Sequence, residues 1–339
     1  MTAATDLLTS YPHRLAGHCG SGSLRDLLEL HGLDYGRGPL SEGACFGLAG
    51  GLGFLFIELP GFVPPFYVVG RTGSMEEDVA VHLGLGLSIE ETDDPDAAWS
   101  LVKREVDSGR PPMLWADIAQ LEYLRVKMSN TRHDIVVVAY DEDEGVAWIA
   151  DNDRDALQRC SLESLARARA SNGFPGPNRH RTYRYEWPAQ LRAADEAIGA
   201  ALGTAVANML GEDEALGGMD VPTGLPAVHA FAASYPTWSE TLGEGMDTAL
   251  GALRVLIVKA GTGGALFRSL HAEFLHDAAV LLDDAPLGQL AAHYDELAST
   301  WATLAEHAGT REHKAGIAHV ERIARLEAEG VEAMAQWLR

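Results

Sequence analysis

The sequence predicts an α+β chain: an antiparallel-sheet domain at 1–187 followed by an all-α domain at 188–339. Three observations carry this. Up to Trp187, short runs rich in Val, Ile, Tyr and Trp alternate with helix-like stretches and are bounded by turn residues. From Pro188 onward, Ala, Leu, Glu and His recur at three- and four-residue spacing, as in 265–282 and 287–307. Between His133 and Asp151, two apolar runs flank an acidic turn at 141–145, which reads as a hairpin.

Taken in order, strands are expected at 53–58, 66–69, 85–90, 112–116, 134–140, 146–150 and 182–186. Helices are expected at 21–30, 41–49, 75–83, 94–107 and 161–171. The last of these opens on Ser161-Leu-Glu-Ser, a cap residue with an acid in the first turn. Two prolines and two glycines make 172–178 a loop. In the helical half, breaks are expected near 217–224, 243–245, 261–264 and Pro286. The apolar stretch 46–70 is long enough to span a bilayer, but Pro60, Pro64 and Pro65 break such a helix. It is expected to form buried strands and turns.

Of the 339 residues, 26 are Lys or Arg and 49 are Asp or Glu, a formal net charge of −23. That field disfavours nucleic acid or an anionic membrane as the main partner. Three cysteines do not make a disulfide framework, so a reducing, cytoplasmic setting is expected. The first residues show no basic region followed by an apolar run, so no signal peptide is expected. His271 and His276 are five apart, and His307, His313 and His319 six apart. Neither spacing aligns ligands on one helix face, and no metal is expected. The glycines at 47–53 and 261–264 lack the lysine of a nucleotide loop.

Cys19 stands just before the apolar-periodic stretch 24–30, between His18 and Gly20-Ser21-Gly22. A helix N-terminus favours the thiolate. Flanking glycines let a carbonyl approach backbone N–H groups. His133 opens a predicted strand and Asp151 closes the next strand of the same hairpin. Counted inward from the turn, the two fall within about two residues of register at its open end. There a carboxylate can hold an imidazole while the other ring nitrogen meets a thiol. Taken singly, Cys19 also reads as a core residue, His133 as a strand cap and Asp151 as a turn former. Cys45 and Cys160 read as inert.

The order Cys, then His on a strand, then Asp after the following strand is that of papain-like enzymes. Over 11–58 and 110–151 the chain resembles the N-terminal domain family of butirosin biosynthesis protein H. The matching stretches are His18-Cys19-x-Ser21-Gly22-x-Leu24-Arg25, Ser41-Glu42-x-x-x-Phe46-Gly47-Leu48, Gly50-Gly51-Leu52-Gly53-Phe54, Trp115-x-Asp117, and His133 and Asp151. The helical half resembles the domain of unknown function that often follows it. Arg268-x-Leu270-x-x-x-Phe274-Leu275-x-x-Ala278-Ala279 and Trp301-x-x-Leu304 carry that likeness.

The resemblance implies a papain-like domain and a cysteine acyltransferase. The butirosin protein moves an aminoacyl group from a carrier-protein thioester onto an aminoglycoside amine. Carried over, Cys19, His133 and Asp151 become the catalytic triad. The acyl donor becomes a phosphopantetheine thioester on an acyl carrier protein or CoA, with no bound cofactor, and the acceptor a small amine. Where peptide-processing relatives place a Gln six residues before the Cys, this chain has His13. His13 and His18 are therefore both candidates for the oxyanion donor. Asp117 is a candidate to meet the amine. Ser41, Glu42 and the glycines after them line an acyl tunnel or simply turn a helix into a strand. The basic stretch 179–184 docks an acidic carrier or protects an edge strand. Thioester hydrolysis and intramolecular cyclisation remain alternatives on the same triad, and a non-catalytic scaffold is a third reading. The Ala- and Leu-rich helical half is compatible with a homodimer.

Overall fold

The computed structural model describes residues 3–212 and 221–339, so the first half of the break expected at 217–224 lies outside the described residues. In chain order the first elements are α1 (Ala3–Ser10), α2 (Cys19–Leu30), α3 (Glu42–Leu48), β1 (Leu52–Glu58), β2 (Phe66–Arg71) and α4 (Met75–Leu83). There follow β3 (Gly86–Glu90), α5 (Pro95–Asp107), β4 (Met113–Ala116), β5 (His133–Asp141), β6 (Val146–Ala150), β7 (Gln158–Ser161), α6 (Leu162–Arg169) and β8 (Thr182–Glu186). The helical remainder is α7 (Ala194–Ala207), α8 (Gly224–Ser234), α9 (Trp238–Thr241), α10 (Met246–Val258), α11 (Arg268–Leu282), α12 (Ala285–Gly309) and α13 (His313–Trp337). The chain is α+β, with antiparallel sheets and a helical C-terminal region. No described helix is long and apolar enough to cross a membrane.

Contacts group the chain into two compact units, and not at a single cut near 187. The first holds the chain up to Leu40 with Gly84–Leu191; the second holds Ser41–Leu83 with Arg192–Arg339. The segment 41–83 thus leaves the sheet unit and joins the helices.

The first unit is built on a six-stranded antiparallel sheet in the order β3-β8-β4-β5-β6-β7. Ile135 and Val137 of β5 pack with Val102 and Val106 of α5 and Leu165 and Ala168 of α6. Asp94 caps α5 by accepting the Asp96 and Ala97 N–H groups, and Pro95 follows at the first helical position. Asp141 pairs with Val146, so the hairpin turn is 142–145, one residue tighter than expected. β7 carries no apolar alternation in Gln-Arg-Cys-Ser and escaped the sequence criteria. β8 lies between β3 and β4 and is not an edge, which corrects the edge-protection reading of 179–184. Its arginines are matched locally: Arg179 with Glu91 and Asp93, Arg181 with Glu91, Arg184 with Glu90 and Glu105.

In the second unit β1 and β2 form a two-stranded ribbon, with Leu55 opposite Val69 and Glu58 opposite Phe66. The glycines after α3 make a tight turn into β1. Gly50 sits at φ +61 and the Gly51 N–H bonds to the Phe46 carbonyl. That is the turn alternative rather than a tunnel wall. A Cβ on Gly47 would lie 1.9 Å from the Phe274 ring, so α3 and α11 pack only because this residue is glycine.

Arg268 at the start of α11 ties these parts together. It is wholly buried. Its guanidinium donates to Glu327 at 2.8 Å, to the Gly70 carbonyl at 2.7 Å and to the Gly53 carbonyl at 3.2 Å. Trp301 donates to the same Glu327 oxygen at 3.0 Å. Arg268 therefore fastens β1 and β2 to α13, Glu327 adds α12 through Trp301, and this network binds 41–83 to the helices.

Candidate active site

Cys19 is the first residue of α2, and His18 is its cap. The His18 Nδ1 accepts the Ser21 N–H at 3.2 Å, so in the neutral ring the proton sits on Nε2. A Cβ on Gly22 would lie 2.5 Å from the Ala16 Cβ, so the loop can fold back on this turn only over a glycine. That loop is clasped to the turn after β6. The Ala16 N–H bonds to the Asn152 carbonyl at 3.0 Å, and the Asn152 side chain donates to the Ala16 carbonyl at 3.2 Å. Residues 136 places apart in sequence are thereby neighbours.

The same clasp carries Asp151 to His133. Val136 pairs with Ala150, and a bulge between Val137 and Ala139 absorbs one residue of β5. Asp151 then lies about two positions from His133, and the side chains close the gap. The His133 Nε2 and the Asp151 Oδ2 are 3.0 Å apart. That leaves Nδ1 as the ring nitrogen for the Cys19 thiol, and the two groups shift each other's titration. Tyr123 donates to the same Asp151 oxygen at 2.8 Å. Asp151 is fully buried, and Cys19 and His133 are each 8% exposed.

The charges follow from this arrangement. Burial pushes the Cys19 thiol up, but His18 and His133 beside it more than reverse this and hold it well below the ordinary range. Burial would drive His133 down, but Asp151 and then Cys19 hold it well above its usual value. Burial also opposes the Asp151 carboxylate, and the His133 cation and Tyr123 hydroxyl keep it below the usual carboxylate range. All three shifts run toward the charged forms: thiolate, imidazolium and carboxylate. Cys160 is the contrast: burial pushes its thiol up to about 11.

The other candidate residues separate. His13 has both ring nitrogens engaged, Nδ1 with Asp26 at 2.8 Å and Nε2 with the Arg154 carbonyl at 3.0 Å. It anchors the loop before Cys19, and no N–H remains for an oxyanion, so this expectation is corrected. Arg25 braces the same loop through Asp26 and the Arg14 and Leu15 carbonyls. His18 stays beside the thiol. Glu42 lies in the first turn of α3, within the second unit, and is not among the residues the sheet unit gathers.

Asp117 does not present a carboxylate to a substrate. Its oxygens accept from the Ala119 and Asn130 N–H groups and from the Ser129 and Ser171 hydroxyls. Burial raises its carboxyl, and these four donors, led by Ser171, hold it below the ordinary value. Its role is to knot the loop that follows β4 to Ser171. Asp117→Ala is expected to cost about 1 kcal/mol in urea denaturation, since the donors it would strand are only half-buried. Cys19 in the folded fraction should keep its alkylation rate.

Two residues at the site escaped the sequence reading. Tyr123 had no motif to mark it. Asp134 follows His133 directly, and its Oδ2 accepts from the Cys19 thiol at 3.6 Å.

Residues 18–152 match the family model described as butirosin biosynthesis protein H, N-terminal, and residues 163–334 match a domain of unknown function (DUF4872). The chain belongs to the DUF4872 family, whose model covers more than half of it, and its N-terminal segment matches the butirosin-type model. The name of that N-terminal model links the chain to antibiotic biosynthesis. No curated protein matches it. Neither family segment coincides with a compact unit. The butirosin-type segment includes 41–83, which packs with the helices. The DUF4872 segment includes α6 and β8, and β8 is an inner strand of the sheet. Each family segment supplies part of the other's fold.

Proposed function

We propose that this butirosin-type protein is a cysteine acyltransferase that moves an acyl group from a carrier-protein or CoA thioester to an amine. The observation that supports this reading is the meeting of Cys19, His133 and Asp151. The Cys19 thiolate attacks the thioester carbonyl. The tetrahedral oxyanion is met by the Cys19 backbone N–H, which a helix start leaves without an intrahelical partner, and by His18. The intermediate collapses, the carbon–sulfur bond to pantetheine breaks, and His133 gives its proton to the departing sulfur. The acyl-Cys19 enzyme then receives the amine, and His133, now neutral, takes a proton back. Positioning and exclusion of water do most of the work, because thioester-to-amide exchange runs downhill. The pantetheine arm belongs to the substrate; the carrier protein, the amine and a reducing cytoplasm complete the reading.

Acyl-N-acetylcysteamine thioesters of several chain lengths test it. Intact mass is expected to show a single acyl adduct on the wild-type chain and none on Cys19→Ala. Turnover should fall about 10⁴-fold or more in that variant. Release of the adduct should depend on added amine. Discharge at the same rate without amine would favour a hydrolase, and absence of any wild-type adduct would remove the acyl-enzyme mechanism.

A further inference from the structure

Asp134 is the second residue of β5 and is 1% exposed. Its Oδ2 lies 3.6 Å from the Cys19 sulfur. Strand alternation sends the His133 and Asp134 side chains to opposite faces, and the thiol at the strand end is within reach of both. Two of the site's groups thus already have defined duties: His133 exchanges a proton with sulfur, and Asp151 holds His133. A carboxylate against the nucleophile itself is not needed to make a thiolate, since its charge opposes one.

Proton balance supplies a reason for it. An aliphatic primary amine is a cation at neutral pH, like the lysine side chain. To become an amide N–H its nitrogen must lose two protons. In that step the C–N bond forms, the C–S bond to Cys19 breaks, and Cys19 leaves as thiolate. His133 is neutral in the acyl-enzyme and can take one proton only. Water attacking the same thioester gives up one proton to His133 on the way to the acid. A second acceptor beside the sulfur therefore serves amine attack and not hydrolysis.

We infer that Asp134 seats the acceptor's ammonium group beside acyl-Cys19 and takes the first of its two protons. This rests on the acyl-transfer reading and deepens it to protonated primary amines as the acceptor class. The carboxylate draws the cation next to the thioester carbon, and the neutralised Asp134 afterwards returns its proton to water.

The test uses the full chain acylated by an acyl-N-acetylcysteamine thioester, then discharged by ethanolamine or by hydroxylamine, which is neutral at pH 7. Asp134→Asn is expected to form the adduct at least as fast as the wild type, since an opposing charge is gone, and to lose about 10²-fold in discharge by ethanolamine. Hydroxylamine and water should discharge it within a few-fold of wild type. Asp134→Glu should restore part of the ethanolamine rate. Equal loss for both amines, loss for neither, or failure of Asp134→Asn to acylate would overturn the inference. A wild-type chain that never acylates would instead overturn the acyl-transfer reading beneath it.

Discussion

His133→Ala is expected to reduce turnover by about 10⁴-fold and to move the alkylation of Cys19 by iodoacetamide to higher pH. In the wild type the thiol is held well below its ordinary value by His18 and His133 against the effect of burial. Alkylation is therefore expected to persist to lower pH than for an ordinary thiol, and to fall as pH drops through that lowered value. Removing His133 takes away one of the two supports, so the inflection must rise. On the acyl-transfer proposal, turnover has a second limb: His133 must carry a proton to release pantetheine, and Asp151 holds that proton on well above the usual histidine range. The rate should thus be bell-shaped, lost at low pH with the thiolate and at high pH with the imidazolium. Cys160, with its thiol pushed up to about 11, supplies an internal control that stays unlabelled across the window. Labelling of Cys19 that is no faster than labelling of Cys160 at pH 7, or an inflection that does not move in His133→Ala, would contradict the ion pair.

Arg268→Met should give the largest loss of stability in the helical unit, about 3–5 kcal/mol, because it strands a buried carboxylate. Both partners are wholly buried, and their 2.8 Å contact is the centre of a network reaching the Gly53 and Gly70 carbonyls. Trp301 also depends on Glu327 as its acceptor. The double variant Arg268→Met with Glu327→Leu removes the orphaned charge and is expected to recover part of the loss, although the two carbonyls stay unpaired. Urea midpoints for the three variants check this. A single variant as stable as the wild type would mean that the network contributes nothing net.

Much of the fold is written in local pattern. The hairpin around 141–145, the helix at Met75–Leu83 and the strand at Thr182–Glu186 follow from periodicity and turn residues within a few positions of each other. What escaped were the short α1, and β7, whose four residues are held as a strand by their neighbour β6 and not by their own composition. The position of β8 inside the sheet was equally hidden, since nothing in its sequence tells which strands flank it.

At the site, residue chemistry pointed to Cys19, His133 and Asp151, because a cysteine at a helix start and a histidine and acid at one hairpin end are visible along the chain. The use of His13 and Asp117 was not visible. A histidine reads alike whether its nitrogens are free or tied to Asp26 and the Arg154 carbonyl. A carboxylate reads alike whether it faces a substrate or is filled by four donors.

By itself the sequence determined most of the helices and strands and named the candidate groups, since both depend on side chains within a turn or two. Tertiary structure decided that 41–83 joins the helices through Arg268, and that Asp134 reaches the thiol. Those are matters of which distant backbones approach, and packing and buried hydrogen bonds set them only when the whole chain has closed.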